Sequence, residues 1–137
     1  MASKYKSDKE WKEILDPEVY HVTREKGTEA PFSGKLLNNK ETGMYVCSNC
    51  GAELFSSETK YNSECGWPSF YQPTKEENIK YDEDNSLGIR RTEITCKNCG
   101  AHLGHVFQDG PRDKTGKRYC VNSLSLKFEA LRRNNKD

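Results

Sequence analysis

The chain carries one short plan twice: Cys47-Ser48-Asn49-Cys50-Gly51-Ala52 and Cys96-Lys97-Asn98-Cys99-Gly100-Ala101. Two residues between the cysteines let a single tight turn present both sulfurs to one ion, and the following Gly admits the backbone conformation that closes such a turn. One C-x-x-C alone can be a redox pair, but two matching copies read as the halves of a four-thiolate shell. Cys47, Cys50, Cys96 and Cys99 are therefore expected to hold one zinc ion. Four protein ligands leave no open position, so the ion is expected to be structural rather than catalytic. The stretch from Gly51 to Thr95 is longer than the spacing of compact zinc ribbons, so the ion should clip two parts of a larger fold.

Such a staple suits the composition. Of 137 residues, 33% are hydrophobic and 31% charged, a balance in which a small apolar core gains from a metal or covalent link. The length fits one domain, 1–137, with 1–15 as an N-terminal extension and 129–137 as a tail. With 22 basic and 21 acidic residues the net charge is +1, so no long-range field gathers phosphate backbones or anionic lipid, and neither nucleic acid nor a membrane is expected as a partner. The opening residues Met1 to Glu10 contain no apolar run for a signal peptide and do not form an Arg-rich, acid-poor transit peptide. A cytoplasmic, reducing setting is expected, in which six cysteines serve metal binding and catalysis rather than three disulfides.

Ser7-Asp8-Lys9-Glu10 predicts a capping box, with Trp11, Ile14 and Leu15 on one helical face. Asp16-Pro17 predicts a second helix, N-capped by Asp16 and stopped by Gly27 after Lys26. The two helices are expected to cover one side of a sheet. From about Lys35 onward short segments broken by Gly, Pro, Asn and Asp predict a mainly β body. Met44 to Cys47 and Arg90 to Thr95 read as strands, and Leu124, Leu126 and Phe128 alternate with Ser125 and Lys127 as another. Asp82 to Ser86 and Asp109-Gly110-Pro111 read as turns. The tail after Phe128 is charged and is expected to be frayed or weakly helical.

Two cysteines remain. Cys120 lies in Lys117-Arg118-Tyr119-Cys120-Val121-Asn122, where a period of two puts Arg118, Cys120 and Asn122 on one face. A guanidinium beside a thiol favours the nucleophilic thiolate, although a buried, inert Cys is common for this residue type. Cys65 lies in Ser63-Glu64-Cys65-Gly66-Trp67-Pro68-Ser69-Phe70, a loop by its Gly and Pro. A thiol there can condense with a sulfenic acid on Cys120, or it is simply buried under Trp67. His102 and His105 follow the second knuckle at a spacing that shares a face on a turn or helix; they suit binding and protonating an oxygen, with spare zinc ligation or ordinary half-burial as the alternatives.

Taken together, the two knuckles, Cys65 to Phe70, His102-Leu103-Gly104-His105-Val106-Phe107, Asp109-Gly110-Pro111, Arg118 to Ser123, Tyr20 to Glu29 and Pro31 to Gly34 resemble the peptide-methionine (R)-S-oxide reductases, the B-type methionine sulfoxide reductases. The resemblance runs from about Pro17 to Phe128. It implies a mainly β fold of two antiparallel sheets and the reversal of methionine oxidation. It further implies that Cys120 attacks the sulfoxide sulfur and becomes a sulfenic acid, that Cys65 resolves it as a disulfide, and that thioredoxin reduces the disulfide. Trp67 would hold the substrate methyl group. His102, His105 and Asn122 would bind or protonate the oxygen, supported by Arg118 and Asp109. The substrates implied are oxidised proteins or peptides carrying methionine-R-sulfoxide. Members differ in whether they keep the zinc cysteines and a Cys at position 65; this chain has both. A non-catalytic zinc module would leave Trp67, the histidine pair and Arg118 without a purpose, and a zinc-stapled redox sensor would leave Trp67 and the oxygen donors unexplained. Nothing in the residues demands an oligomer, and a monomer is expected.

Overall fold

The computed structural model describes residues 7–86 and 88–131. It opens with α1, Asp8–Ile14, whose start is the expected capping box: Glu10 N–H donates to Ser7 Oγ at 3.2 Å and Ser7 N–H to Glu10 Oε1 at 2.9 Å. Trp11 is 1% exposed and belongs to the main core, whereas Ile14 is 61% exposed. Pro17 starts α2, Pro17–Arg24, as expected, but Asp16 makes no side-chain cap and the helix ends before Gly27. The His21 carbonyl accepts from both Glu25 and Gly27, and the residue that takes the left-handed φ of 60° is Lys26. Gly27 packs under the exposed His21 ring, which a Cβ at that position would displace.

Among the described residues nine strands follow: β1 Gly43–Cys47, β2 Glu53–Ser56, β3 Lys60–Tyr61, β4 Ser69–Phe70, β5 Ile79–Asp84, β6 Arg91–Cys96, β7 His102–Phe107, β8 Arg118–Val121 and β9 Leu126–Ala130. They form two antiparallel sheets, ordered β2-β1-β9 and β3-β4-β8-β7-β6-β5. The core lies between them and is aromatic. Phe55 of β2 stacks on Phe70 of β4 with centroids 4.4 Å apart, while Tyr45 of β1 meets Phe70 edge-on at 5.2 Å and Tyr119 of β8 lies against Phe55 at 5.7 Å. Such pairs add attraction beyond the area they bury.

Three sequence expectations change. Asp82, Glu83 and Asp84 are not a turn but the second half of β5; the turn follows at Asn85, whose carbonyl accepts from Gly88. β5 is an edge strand, and exposed charge there deters pairing with another chain, so polarity misleads. The strand assigned to 124–128 begins only at Leu126, because Ser123–Ser125 form a 3-10 turn with Ser125 fully buried. At its far end β9 continues through Glu129 and Ala130, paired with Met44 and Gly43, so the tail is a strand up to that point. The remaining expectation of a frayed or weakly helical end falls on 132–137, outside the described residues. Among the described residues no helix is long and apolar enough to cross a membrane.

The knuckles are the two hairpin tips that join β1 to β2 and β6 to β7. Their backbones repeat: Cys47 N–H donates to Ala52 O and Gly51 N–H to Cys47 O, as Cys96 does to Ala101 and Gly100 to Cys96, all at 2.7 to 2.9 Å. Gly51 and Gly100 take φ of 81° and 85°, which a Cβ would penalise.

Candidate active site

Alternation along β8 sends Tyr119 and Val121 into the core, 1% and 0% exposed, and Arg118 and Cys120 to the opposite face. That face borders a cavity of about 310 Å³ lined by Cys65, Trp67, His102, His105, Arg118, Cys120 and Asn122, with Thr28, Arg91, Gly104 and Phe107 completing it. All seven of the expected site residues other than Asp109 therefore meet at one place. A larger cavity of about 1000 Å³ between α2 and β9 contains no cysteine.

Cys65 reaches Cys120 through strand register. Ser69 of β4 sits opposite Cys120, and the loop before it folds back so that the two Sγ atoms are 2.9 Å apart. A small rotation would bring them to the ~2.05 Å of a disulfide. The loop is tied rather than loose: Cys65 N–H donates to Ser63 Oγ, Cys65 Sγ lies 3.4 Å from Ser69 Oγ, and the Trp67 indole donates to the Glu29 carbonyl at 3.1 Å. The two sulfurs compete for one proton. The hydrogen bond from Cys120 holds the Cys65 thiol down at about 4; the same bond and burial push the Cys120 thiol up, against the opposing charge of Arg118.

Arg118 is aimed. Its Nε and Nη2 donate to the two oxygens of Asp109 at 2.8 and 3.1 Å, its plane lies 4.4 Å above the Phe107 ring, and Nη1 is left to donate to Cys120 Sγ at 2.8 Å. Asp109, 66% exposed, does not line the cavity; Arg118 holds its carboxyl below the usual range.

The histidines lie on a strand, not on a helix or turn. Strict alternation would send His102 and His105 to opposite faces. Ile94 pairs with Gly104 and Thr95 with His102, so β7 contains one extra residue, Leu103, and this bulge returns both rings to the cavity with centroids 5.7 Å apart. Each ring is held by a carboxylate the sequence reading missed. His102 Nδ1 is 2.7 Å from Glu93 Oε2 and His105 Nε2 is 2.8 Å from Asp84 Oδ2, which also accepts from Arg91 at 3.1 Å. Glu93 carried no signal in the sequence, because alternation groups it with Arg91 and Thr95 on a polar face; Asp84 was hidden by its reading as a turn. Gly104 lets β7 approach β8, since a Cβ there would be 1.9 Å from the Cys120 carbonyl oxygen.

Asn122 is committed at both ends. Its Oδ1 accepts from Glu29 N–H at 3.1 Å and its Nδ2 donates to the Leu103 carbonyl at 3.1 Å, leaving one amide hydrogen uncommitted. The buried Glu29 carboxylate accepts from the N–H groups of Ser123 and Leu124 at 2.9 and 3.0 Å, capping the turn that Asn122 itself leaves uncapped.

The four knuckle cysteines bring their sulfurs within 4.8 Å of one another. Cys47–Cys99 and Cys50–Cys96 are each separated by 3.6 Å, close to the ~3.8 Å edge of a tetrahedron with metal–sulfur bonds of about 2.3 Å. The donor set therefore fits one tetrahedral soft-metal ion, and Cys65 and Cys120 are not among the donors. Asn98 Nδ2 donates to Cys50 Sγ at 3.1 Å; Arg24 donates to the Cys99 carbonyl at 3.1 Å and lies 4.7 Å over Trp11, so the helices buttress the metal-binding end.

Residues 15–130 match the SelR domain family. Among curated proteins, the chain is similar to a peptide methionine sulfoxide reductase MsrB of Methanosarcina mazei, 57% identical over 123 residues that span 90% of this chain and 87% of that protein. The MsrB of Leptospira interrogans is 59% identical over 124 residues, 90% of this chain and 94% of its own. That of Acinetobacter baumannii is 53% identical over 137 residues, 100% and 98%.

Proposed function

Because the chain belongs to the SelR domain family, that of the peptide methionine sulfoxide reductases MsrB, we propose that it repairs oxidised proteins by returning methionine-R-sulfoxide residues to methionine with Cys120 as nucleophile. Membership makes it an oxidoreductase acting on methionine sulfoxide. The reading of its residues is supported chiefly by the Cys65–Cys120 contact of 2.9 Å at the floor of a cavity walled by Trp67 and two imidazoles.

The sulfoxide methyl group lies against the Trp67 indole, a flat apolar wall with good sulfur contacts. The proton shared by the two sulfurs passes to Cys65, and Arg118 stabilises the thiolate left on Cys120. Cys120 attacks the sulfoxide sulfur while His102, assisted by His105 and the uncommitted hydrogen of Asn122, donates to the oxygen. In sum, thiolate, sulfoxide and one proton give a sulfenic acid on Cys120 and free methionine side chain. The Cys65 thiol then condenses with the sulfenic acid, forming the Cys65–Cys120 bond and releasing water. An external dithiol, thioredoxin, reduces that bond to two thiols and leaves as its own disulfide. Stabilising developing charge on the oxygen and supplying its proton are the terms that lower this barrier.

Cys47, Cys50, Cys96 and Cys99 hold zinc, which when bound supplies a closed structural link and no reactive position. The test is turnover of the two epimers of a blocked methionine sulfoxide with dithiothreitol. The R epimer should be consumed by the wild type and not by Cys120→Ser; consumption by that variant would remove Cys120 as nucleophile, and failure of the wild type to consume either epimer would favour a redox sensor.

A further inference from the structure

Glu93 is 7% exposed in its side chain, and its two oxygens have different partners: Oε2 lies 2.7 Å from His102 Nδ1 and Oε1 lies 3.3 Å from Lys26 Nζ. Lys26 comes from the segment after α2, and a lysine there departs from expectation. Its φ of 60° is one that Gly adopts freely and Lys rarely, so the chain holds a long cationic side chain where backbone ease would choose otherwise. The Lys26 side chain is 69% exposed, so it joins a surface charge to a buried imidazole through one carboxylate. With the carboxylate on Nδ1, the second nitrogen, Nε2, is the one free to serve the cavity that His102 lines; it makes no hydrogen bond among the described residues.

We propose that Lys26, Glu93 and His102 form a positioning triad in which Glu93 fixes the imidazole and Lys26 anchors the other oxygen of that carboxylate, so that His102 delivers its proton through Nε2. The proposal rests on the reading of His102 as proton donor to the sulfoxide oxygen. The groups that face His102 act in opposite senses. Burial pulls its proton affinity down, Glu93 of β6 pushes it up, and His105 on its own strand and Lys26 pull it down again. Across the same cavity stand Arg91 of β6 and Arg118 and Cys120 of β8.

The geometry predicts effects of opposite sign. Glu93→Gln should lower the His102 titration midpoint by about one pH unit or more and move the alkaline limb of R-epimer turnover with dithiothreitol downward by the same amount. Lys26→Ala should raise both, by less because the ammonium is screened by solvent, and Lys26→Arg should restore the wild-type profile. His102 is followed by nuclear magnetic resonance of labelled imidazole, which needs no turnover. If Glu93→Gln fails to fold, the two surface Lys26 variants carry the test alone. Coincident His102 titrations in wild type and Lys26→Ala, or shifts of the same sign in Glu93→Gln and Lys26→Ala, would overturn the triad. A displaced titration with an unmoved rate limb would uphold the triad and strike out His102 as the proton donor instead.

Discussion

At the scale of single residues, the proposed chemistry turns on how two sulfurs share one proton. The bond between them lowers the Cys65 thiol to about 4, while the same bond and burial raise that of Cys120. The expectation that Arg118 makes Cys120 the resting thiolate is therefore only half of the balance: the guanidinium contact is there, but a neighbouring thiol opposes it. Removing that neighbour should release the effect of Arg118. Cys65→Ser is expected to lower the Cys120 titration relative to wild type, read from thiolate ultraviolet absorbance. It should keep dithiothreitol-driven turnover and lose turnover driven by thioredoxin. An unchanged Cys120 titration would show that the two sulfurs do not compete in solution, and undiminished thioredoxin turnover would mean that Cys65 is not the resolving thiol.

Elements place these residues, and most of that placement depends on pairing between strands far apart in sequence. The bulge at Leu103 and the close approach at Gly104 work together, bringing the histidine pair onto the face of Cys120. Gly104→Ala would force a methyl group into the Cys120 carbonyl, and both atoms belong to rigid strands. Overpacking of this kind costs about 2–3 kcal/mol, to be seen as a lower denaturation midpoint together with depressed turnover. An equally stable, fully active variant would show that β7 and β8 part more easily than the geometry implies. The same dependence explains what was legible in the sequence. The knuckles could be read because a C-x-x-C-G turn makes its own contacts within a few residues, and the period-two face of Arg118 and Cys120 is equally local. Glu93, Asp84 and Glu29 acquire their roles only from cross-strand and loop partners, His102, His105 and the turn at Ser123. The β5 acids misled because edge strands and turns share a polar composition. Leu124 and Ser125 misled because a carboxylate from Glu29 caps a turn that overlaps the start of what alternation reads as strand.

For the whole molecule, the four knuckle cysteines tie the tip of a hairpin in the small sheet to the tip of one in the large sheet. A structural zinc ion is worth on the order of 10 kcal/mol, as much as the roughly 5–15 kcal/mol net stability of an entire domain. Cys96→Ser is therefore expected to give a metal-poor protein that is unfolded or insoluble. A soluble, zinc-free variant with the wild-type melting temperature would refute the site. Fold class could be read from composition and turn spacing, and the sheets' order could not, because nothing local says that β9 joins β1. That pairing gives the molecule a timetable. As the chain leaves the ribosome, every residue assigned to the catalytic cavity and every metal ligand has been made before β9 exists. The β1–β2 hairpin is by then only two strands, marginal in water by itself. The small sheet, and with it one wall of the aromatic core, must wait for Leu126 to Ala130, so every thiol is synthesised before the framework that aligns it is complete.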